Sequence, residues 1–221
     1  VSKGVLNDLN NSFNIERNKL LLIYNPIDHE SVNQLSSITN FKSKSIIKKG
    51  DYILSIGRLV RAKNLDLLIK AFNKVRNIVK YKLIIMGAGP EKSNLEKLIA
   101  KFDLSNDVYL IGHFSNPYFI IKRSEAVISS SKWEGLGLAL IESLALGKYI
   151  ISTDCPYGPR EILDDGSYGK LIPPDNVELL SDAIKDIPFN IINIDKKRLI
   201  DRSNYFSLDR ALNKFDKIFK I

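Results

Sequence analysis

The sequence predicts an α/β chain, a parallel sheet covered by helices on both faces in the doubly wound, Rossmann-like manner. Three observations point there. Short runs such as Tyr52-Ile53-Leu54-Ser55-Ile56 are apolar at consecutive rather than alternate positions, as strands buried on both faces are. The segments between such runs repeat their apolar residues at helical spacing. Glycines mark the ends of four strand-like runs, at Gly57-Arg58, Gly87-Ala88-Gly89, Gly112-His113 and Gly135-Leu136-Gly137. In sheets of this kind ligands bind at the carboxyl ends of the strands, so these glycine-marked ends would share one edge and one cleft.

Taken in order, residues 1–19 read as a short amphipathic helix, with Val5, Leu6, Leu9 and Phe13 near helical spacing, followed by Asn-rich sequence. Residues 20–24 read as a short strand stopped by Asn25-Pro26. Residues 27–50 are polar and weakly periodic, a connector and not a core. From Asp51 the pattern becomes regular: strand 52–56, helix 65–79, strand 81–86, the turn Gly87-Ala88-Gly89-Pro90, a helix through Phe102, and strand 108–111. Asn116-Pro117 opens a short helix, with proline suited to a first turn. Strand 126–129 leads into the glycine turn and a helix to about Leu146, which Gly147 would end. Strand 148–152, a short helix at 158–163 and a last strand at 168–172 follow. Helices at about 176–187, 193–204 and 207–219 close the chain, the last with Ser207 as N-cap.

Composition narrows the function classes. Among 221 residues no apolar run approaches the roughly 20 needed to span a bilayer. One cysteine, Cys155, excludes an internal disulfide, fits a reducing compartment, and reads as a small buried hydrophobe rather than a nucleophile. A net charge of +8 suggests anionic partners, but the lysines are dispersed and no nucleic-acid-binding signature accompanies them. Solvated helix faces are the plain reading and attraction to an anionic membrane the alternative. There is no G-x-G-x-x-G after the first strand and no phosphate-loop G-x-x-x-x-G-K-[ST]. No His/Cys/Asp cluster has metal-ligand spacing, so no metal is expected.

The candidate site residues lie at the strand ends. Glycines at 135 and 137 let backbone N–H groups approach a ligand, and the helix start behind them favours an anion. Arg58 and Lys63 lie just past the first strand and suit a diphosphate; as ordinary surface cations they would sit unfavourably near a helix N-terminus. Glu134 in the turn and Glu142 on the following helix are odd companions for a phosphate alone, but carboxylates accept hydrogen bonds from sugar hydroxyls. Glu142 has apolar neighbours in Leu138, Ile141, Leu144 and Ala145, so it points inward and needs a partner. If one helix held both glutamates, they would lie within roughly 12 Å of each other. His113 is more simply a strand-end residue contributing backbone, His29 receives no role, and Trp133 reads as a packing residue rather than a sugar-stacking platform.

The stretch Ser-Ser-Lys-Trp-Glu-Gly-Leu-Gly-Leu-Ala-Leu-Ile-Glu-Ser-Leu-Ala-Leu-Gly-Lys, residues 130–148, resembles the signature of retaining glycosyltransferases of the GT-B fold, family four. The resemblance continues through Gly57-Arg58-Leu59 with Lys63-Asn64, Gly87-Ala88-Gly89-Pro90, Gly112-His113-Phe114 with Asn116-Pro117, Gly158-Pro159-Arg160-Glu161-Ile162-Leu163 and Gly169-Lys170-Leu171-Ile172-Pro173. It implies one half of a GT-B fold, a nucleotide-sugar-binding domain at 51–190 with UDP-sugar the commonest donor. It also implies the roles: Arg58 and Lys63 on the diphosphate, with Glu134 beside them as the catalytic set, Glu134 on the transferred sugar and Glu142 on the ribose. Gly57 and Gly87, and backbone groups of Gly135, Leu136, Gly137 and Leu138, would reach phosphate and sugar oxygens, and His113-Phe114 the base.

Residues 1–25 resemble the end of the family's acceptor domain, 26–50 the interdomain connector, and 191–221 helices packing back toward that domain. The start at Val1, without methionine, reads as a trimmed or partial chain. The expectation is a half-enzyme, cytoplasmic or peripheral on the inner face of the plasma membrane, acting on a glycan or lipid-linked acceptor of bacterial surface polysaccharide synthesis. A non-catalytic nucleotide-sugar-binding module is the competing reading.

Overall fold

The computed structural model describes residues 2–38 and 52–219. Among them, six strands form one parallel sheet: β1 (Tyr52–Ile56), β2 (Lys82–Met86), β3 (Val108–Gly112), β4 (Ala126–Ser129), β5 (Tyr149–Thr153) and β6 (Lys170–Ile172). Their order is β3-β2-β1-β4-β5-β6, so the chain winds outward from β1 in one direction and then returns to wind in the other. The doubly wound reading therefore holds, and the order reverses between β1 and β4. At such a switch point the loops after the two strands diverge and leave a crevice.

Consecutive residues of a strand face opposite sides, and both sides are filled. Ile53, Leu83, Ile85, Ile128 and Ile151 pack under α3 (Leu65–Val75), α4 (Lys92–Lys101) and α8 (Val177–Lys185). Tyr52, Leu54, Ile84 and Val127 face α5 (Tyr118–Arg123), while Ile150 faces α6 (Leu138–Ala145) and α10 (Lys196–Ser203). Leu68, Ile69 and Phe72 of α3 are fully buried, each contributing about 1.5–3 kcal/mol of apolar transfer energy. Gly147 ends α6 as expected: at φ +65° it lets Gly147 N–H reach Leu144 O (2.8 Å) and Lys148 N–H reach Ser143 O (2.9 Å).

Several local expectations are corrected. Residues 20–24 form no strand; the segment meets the fold through Leu22 O, which accepts from Lys214 Nζ (3.0 Å), and through Tyr24, whose ring packs 5.6 Å from Tyr205 and 5.1 Å from Phe206, and just beyond it Ile27 bridges to Ser207. An apolar pentapeptide has no strand character without a free sheet edge beside it, and aromatic packing offers another way to bury it. The N-terminal helix is shorter than expected: α1 (Lys3–Phe13) ends where Asn14 takes a left-handed conformation at φ +53°, and a 3-10 turn follows at Arg17–Lys19.

The stretch read as connector contains α2 (His29–Ser37), capped by Asp28, which accepts from Glu30 N–H (3.0 Å) and Ser31 N–H (3.2 Å). Its Val32 is buried, and Leu35 O accepts from Asn116 Nδ2 at 2.9 Å, so this part belongs to the core on the α5 side. The rest of that stretch, 39–50, lies outside the described residues. The helix expected to end at 187 stops at Lys185, and α9 (Ile187–Ile192) starts anew with Pro188 in its first turn. α7 (Pro159–Ile162) is as expected, and the final helix α11 spans Leu208–Phe219.

Candidate functional site

The site is built where the loops after β1 and β4 meet. Past β1, Gly57 lies beneath the Lys63 side chain: a Cβ at Gly57 would come 2.9 Å from Lys63 Cε. Gly57 is in turn packed by Gly87, whose Cβ would fall 1.8 Å from Gly57 O. Gly87 is thus required by backbone packing, whatever ligand is bound, whereas a side chain at Gly57 would displace Lys63. A 3-10 turn, Arg61–Lys63, reverses the chain so that Lys63 points back over the strand end.

Across the switch point the β4 loop is laced to it. Lys132 N–H donates to Ala62 O (2.8 Å) and Ser130 Oγ to Lys63 O (2.9 Å). Glu134 is held by its backbone as well, through Glu134 N–H to Pro156 O (2.7 Å) and Tyr157 N–H to Glu134 O (2.8 Å). Its carboxylate sits between two donors, Lys63 Nζ at 2.5 Å and Ser131 Oγ at 2.6 Å on the same Oε1. The two charged side chains are 24% and 12% exposed, so this pair is partly desolvated and stronger than a surface ion pair.

Around the pair opens a cleft of about 460 Å³. Gly57, Arg58, Lys63, Glu134, Gly135, Leu136, Gly137 and Leu138 line it. Arg58 is exposed to the cleft and makes no ion pair among the described residues. Gly137 precedes α6 at φ +98°, and no side chain caps that helix, leaving first-turn N–H groups toward the cleft. One cation is therefore neutralised by a carboxylate while a second cation and a helix N-terminus are open, a combination suited to an anionic, polyhydroxylated ligand.

Four predicted residues lie outside this lining. Gly87 is buried against Gly57, His113 is exposed at the end of β3, and Phe114 packs half-buried beside the α5 core. Glu142 does point inward and has the partner it needs: Tyr118 Oη donates to its Oε1 at 3.0 Å. Burial pushes the Glu142 carboxyl above the usual range, against the lowering effect of that bond, and burial beside Glu142 pushes the Tyr118 hydroxyl up to about 12. Because α6 begins at Leu138, Glu134 is not on it, and helical rise does not set the separation of the two glutamates.

Sequence reasoning missed Ser131 and Tyr118. Ser131 lies in a serine run visible at a strand end, but Tyr118 meets a residue 24 positions away and left no local signal. Trp133 is corrected: at 57% exposed it is not a packing residue, and the buried position of this turn is taken by Leu136. Cys155 is buried as expected, with its thiol pushed up to about 11 by burial and then by the nearby Glu134 charge. Among the described residues no group of three or more His, Cys, Asp or Glu could hold a metal ion. None of their helices is long and apolar enough to cross a membrane.

A family model described as "Glycosyl transferases group 1" matches residues 36–190. The chain is 36% identical over 184 residues to the N-acetylgalactosamine-N,N'-diacetylbacillosaminyl-diphospho-undecaprenol 4-alpha-N-acetylgalactosaminyltransferase of Campylobacter jejuni, covering 83% of this chain and 48% of that one. In shape it is similar to a glycosyltransferase from Rickettsia africae (TM-score 0.87, 23% identity, 100% of this chain and 62% of the other). It is also similar to a mutant of TarM from S. aureus solved with fondaparinux, alpha-GlcNAc-glycerol and UDP (TM-score 0.82, 24% identity, 100% and 43%). The doubly wound domain is thus one half of a GT-B fold, and the chain spans about half the length of the curated relatives it matches.

Proposed function

Since the chain belongs to the glycosyl transferases group 1 family, we propose that it is the donor-binding half of a retaining glycosyltransferase that takes its sugar from a UDP-sugar. The observation that carries this reading is the Lys63–Glu134 contact across the switch point, with Arg58 open beside it. A nucleotide sugar has a diphosphate between two polyols, and the cleft brings cations, helix N–H groups and one glutamate together. Arg58 and Lys63 would take the diphosphate, and Glu134 hydroxyls of the transferred sugar. Glu142, beside Tyr118, would take the ribose, and the strand end at His113-Phe114 the base. The UDP bound to TarM supports the choice of nucleotide.

In the reaction the bond between the sugar's anomeric carbon and the diphosphate oxygen breaks, and charge grows on the departing UDP. Arg58 and Lys63 would stabilise that charge from fixed positions, the electrostatic part of catalysis. The acceptor would be a glycan or lipid-linked saccharide of bacterial surface polysaccharide synthesis, at the inner face of the plasma membrane. The acceptor's reacting end would be held by a further domain, with residues 1–25 leading from that domain and 191–221 packing back to it. The apolar stripe of α11 supports this: Leu212, Phe215, Ile218 and Phe219 are 44–65% exposed while only Ala211 is buried.

Calorimetric titration of the chain with UDP and UDP-sugars tests the proposal. Binding in both cases, weakened in Arg58→Ala and Glu142→Ala, is expected, with no useful transfer by this chain alone. No UDP binding would remove the donor reading, and robust transfer by the isolated chain would remove the half-enzyme reading.

A further inference from the structure

Trp133 separates two cavities. It and Val60 line the cleft described above and also a second groove of about 290 Å³, which runs between the N-terminal ends of α3 and α4. The groove has an exposed indole on one wall, with Arg61, Glu91, Asn94 and Lys132 around it. We infer that this groove is a subsite for a neutral saccharide of the acceptor glycan, with Trp133 as its stacking platform; this rests on the donor reading of the cleft.

The chemistry of the lining selects the ligand class. Each cation of the groove is opposed by a carboxylate: Arg61 Nε lies 3.7 Å from Glu91 Oε1, and Lys132 Nζ 3.7 Å from Asp175 Oδ1. Both separations are loose, so these groups are accessible but their charges are balanced, unlike Arg58 in the cleft. A balanced set offers a phosphate little. It offers a sugar much, because Glu91 and the Asn94 amide supply acceptors and donors to hydroxyls while the indole face meets the C–H face of a pyranose ring. Asn94 Nδ2 already donates to Glu91 Oε2 at 3.0 Å, which orients the carboxylate toward the groove's polar wall.

Position argues for acceptor rather than donor. Glu142 and Phe114 lie on the sheet face covered by α5 and α6, whereas the groove lies on the opposite face, under α3 and α4. A donor with its nucleoside on the first face and its sugar at Glu134 has the groove beyond its sugar end. Trp133, adjacent in sequence to Glu134, forms the wall between the two.

Trp133 is the chain's one tryptophan, so its fluorescence reports on the wall between groove and cleft, and saturating UDP holds the cleft's contribution constant. The chain, saturated with UDP, is titrated with maltotriose, chitotriose, mannotriose and galactotriose. Saturable quenching and a blue shift by at least one of them is expected, with a dissociation constant on the order of 1 mM. By saturation-transfer NMR, Asn94→Ala, a change outside the cleft lining, weakens that saccharide about tenfold and leaves UDP affinity within about twofold, and Trp133→Ala weakens the saccharide at least as much. If none of the four moves the emission while UDP still binds, the inference is wrong and the donor reading stands. If UDP competes with the saccharide, the indole belongs to the donor nucleotide and the inference is again wrong. Failure to bind UDP at all sinks the donor reading instead, and the inference that rests on it.

Discussion

The 2.5 Å contact between Lys63 and Glu134 means that the unliganded site is already occupied by its own counter-charge. A diphosphate must draw Lys63 away from Glu134, and it must approach a carboxylate that repels it. Glu134→Gln removes both costs and keeps a hydrogen-bond acceptor for Ser131. At an effective dielectric of about 20, two unit charges about 4 Å apart interact by about 4 kcal/mol, an upper bound. Charge-assisted hydrogen bonds contribute about 1.5–3 kcal/mol net, and at 24% and 12% exposure solvent screens this pair little. Part of that is recovered when Lys63 meets phosphate instead. We therefore expect Glu134→Gln to bind UDP about tenfold tighter, about 1.4 kcal/mol. UDP-sugar gains less or loses, because the carboxylate no longer accepts from the sugar hydroxyls. Lys63→Met should weaken both ligands, and each single variant should melt lower than wild type because one partner is left half-buried and unpaired. Isothermal calorimetry with UDP and UDP-sugar on the three proteins, at low and high salt, checks this. If Glu134→Gln weakens UDP as much as Lys63→Met does, Glu134 does not compete with the diphosphate and the reasoning fails.

Three further outcomes are expected. Burial raises the Glu142 carboxyl above its ordinary 4.5, so its protonated form favours folding: that stability is fully present below pH 4.5 and is lost as pH rises through the folded value. Glu142→Gln should thus stabilise by roughly 1 kcal/mol at pH 8, change little at pH 4, and weaken UDP; equal melting shifts at both pH values would contradict it. Cys155, with its thiol near 11 and buried, should resist thiol reagents at pH 8 until the chain unfolds, and rapid native labelling would show an opening at the Cys155-Pro156-Tyr157 turn. Glu161 accepts Lys3 N–H (2.9 Å) and the Tyr24 hydroxyl, so Glu161→Ala should cost about 1–3 kcal/mol and expose residues 14–26 to limited proteolysis, a pattern unchanged from wild type being the contrary result.

Much of this protein was legible along the chain. The six strands of the sheet and the helices between them follow from local apolar runs and periods, because burial on both faces leaves a strand little choice of residue. The end of α6 could be read at Gly147, since only a residue tolerant of positive φ closes that turn without strain. Eight of the residues lining the cleft were also legible, because each stands beside a glycine or a helix start. What sequence could not supply was pairing between distant positions. That Lys63 meets Glu134, that Glu142 leans on Tyr118, and that Gly87 is bare for the sake of Gly57 are contacts between loops that only the sheet order brings together. Residues 20–24 show the same limit from the other side, an apolar run whose fate depended on Tyr205 and Phe206. Local pattern reports which side chains must leave water, whereas their partners are chosen by the winding of the chain, and at the switch point between β1 and β4 that winding makes the site.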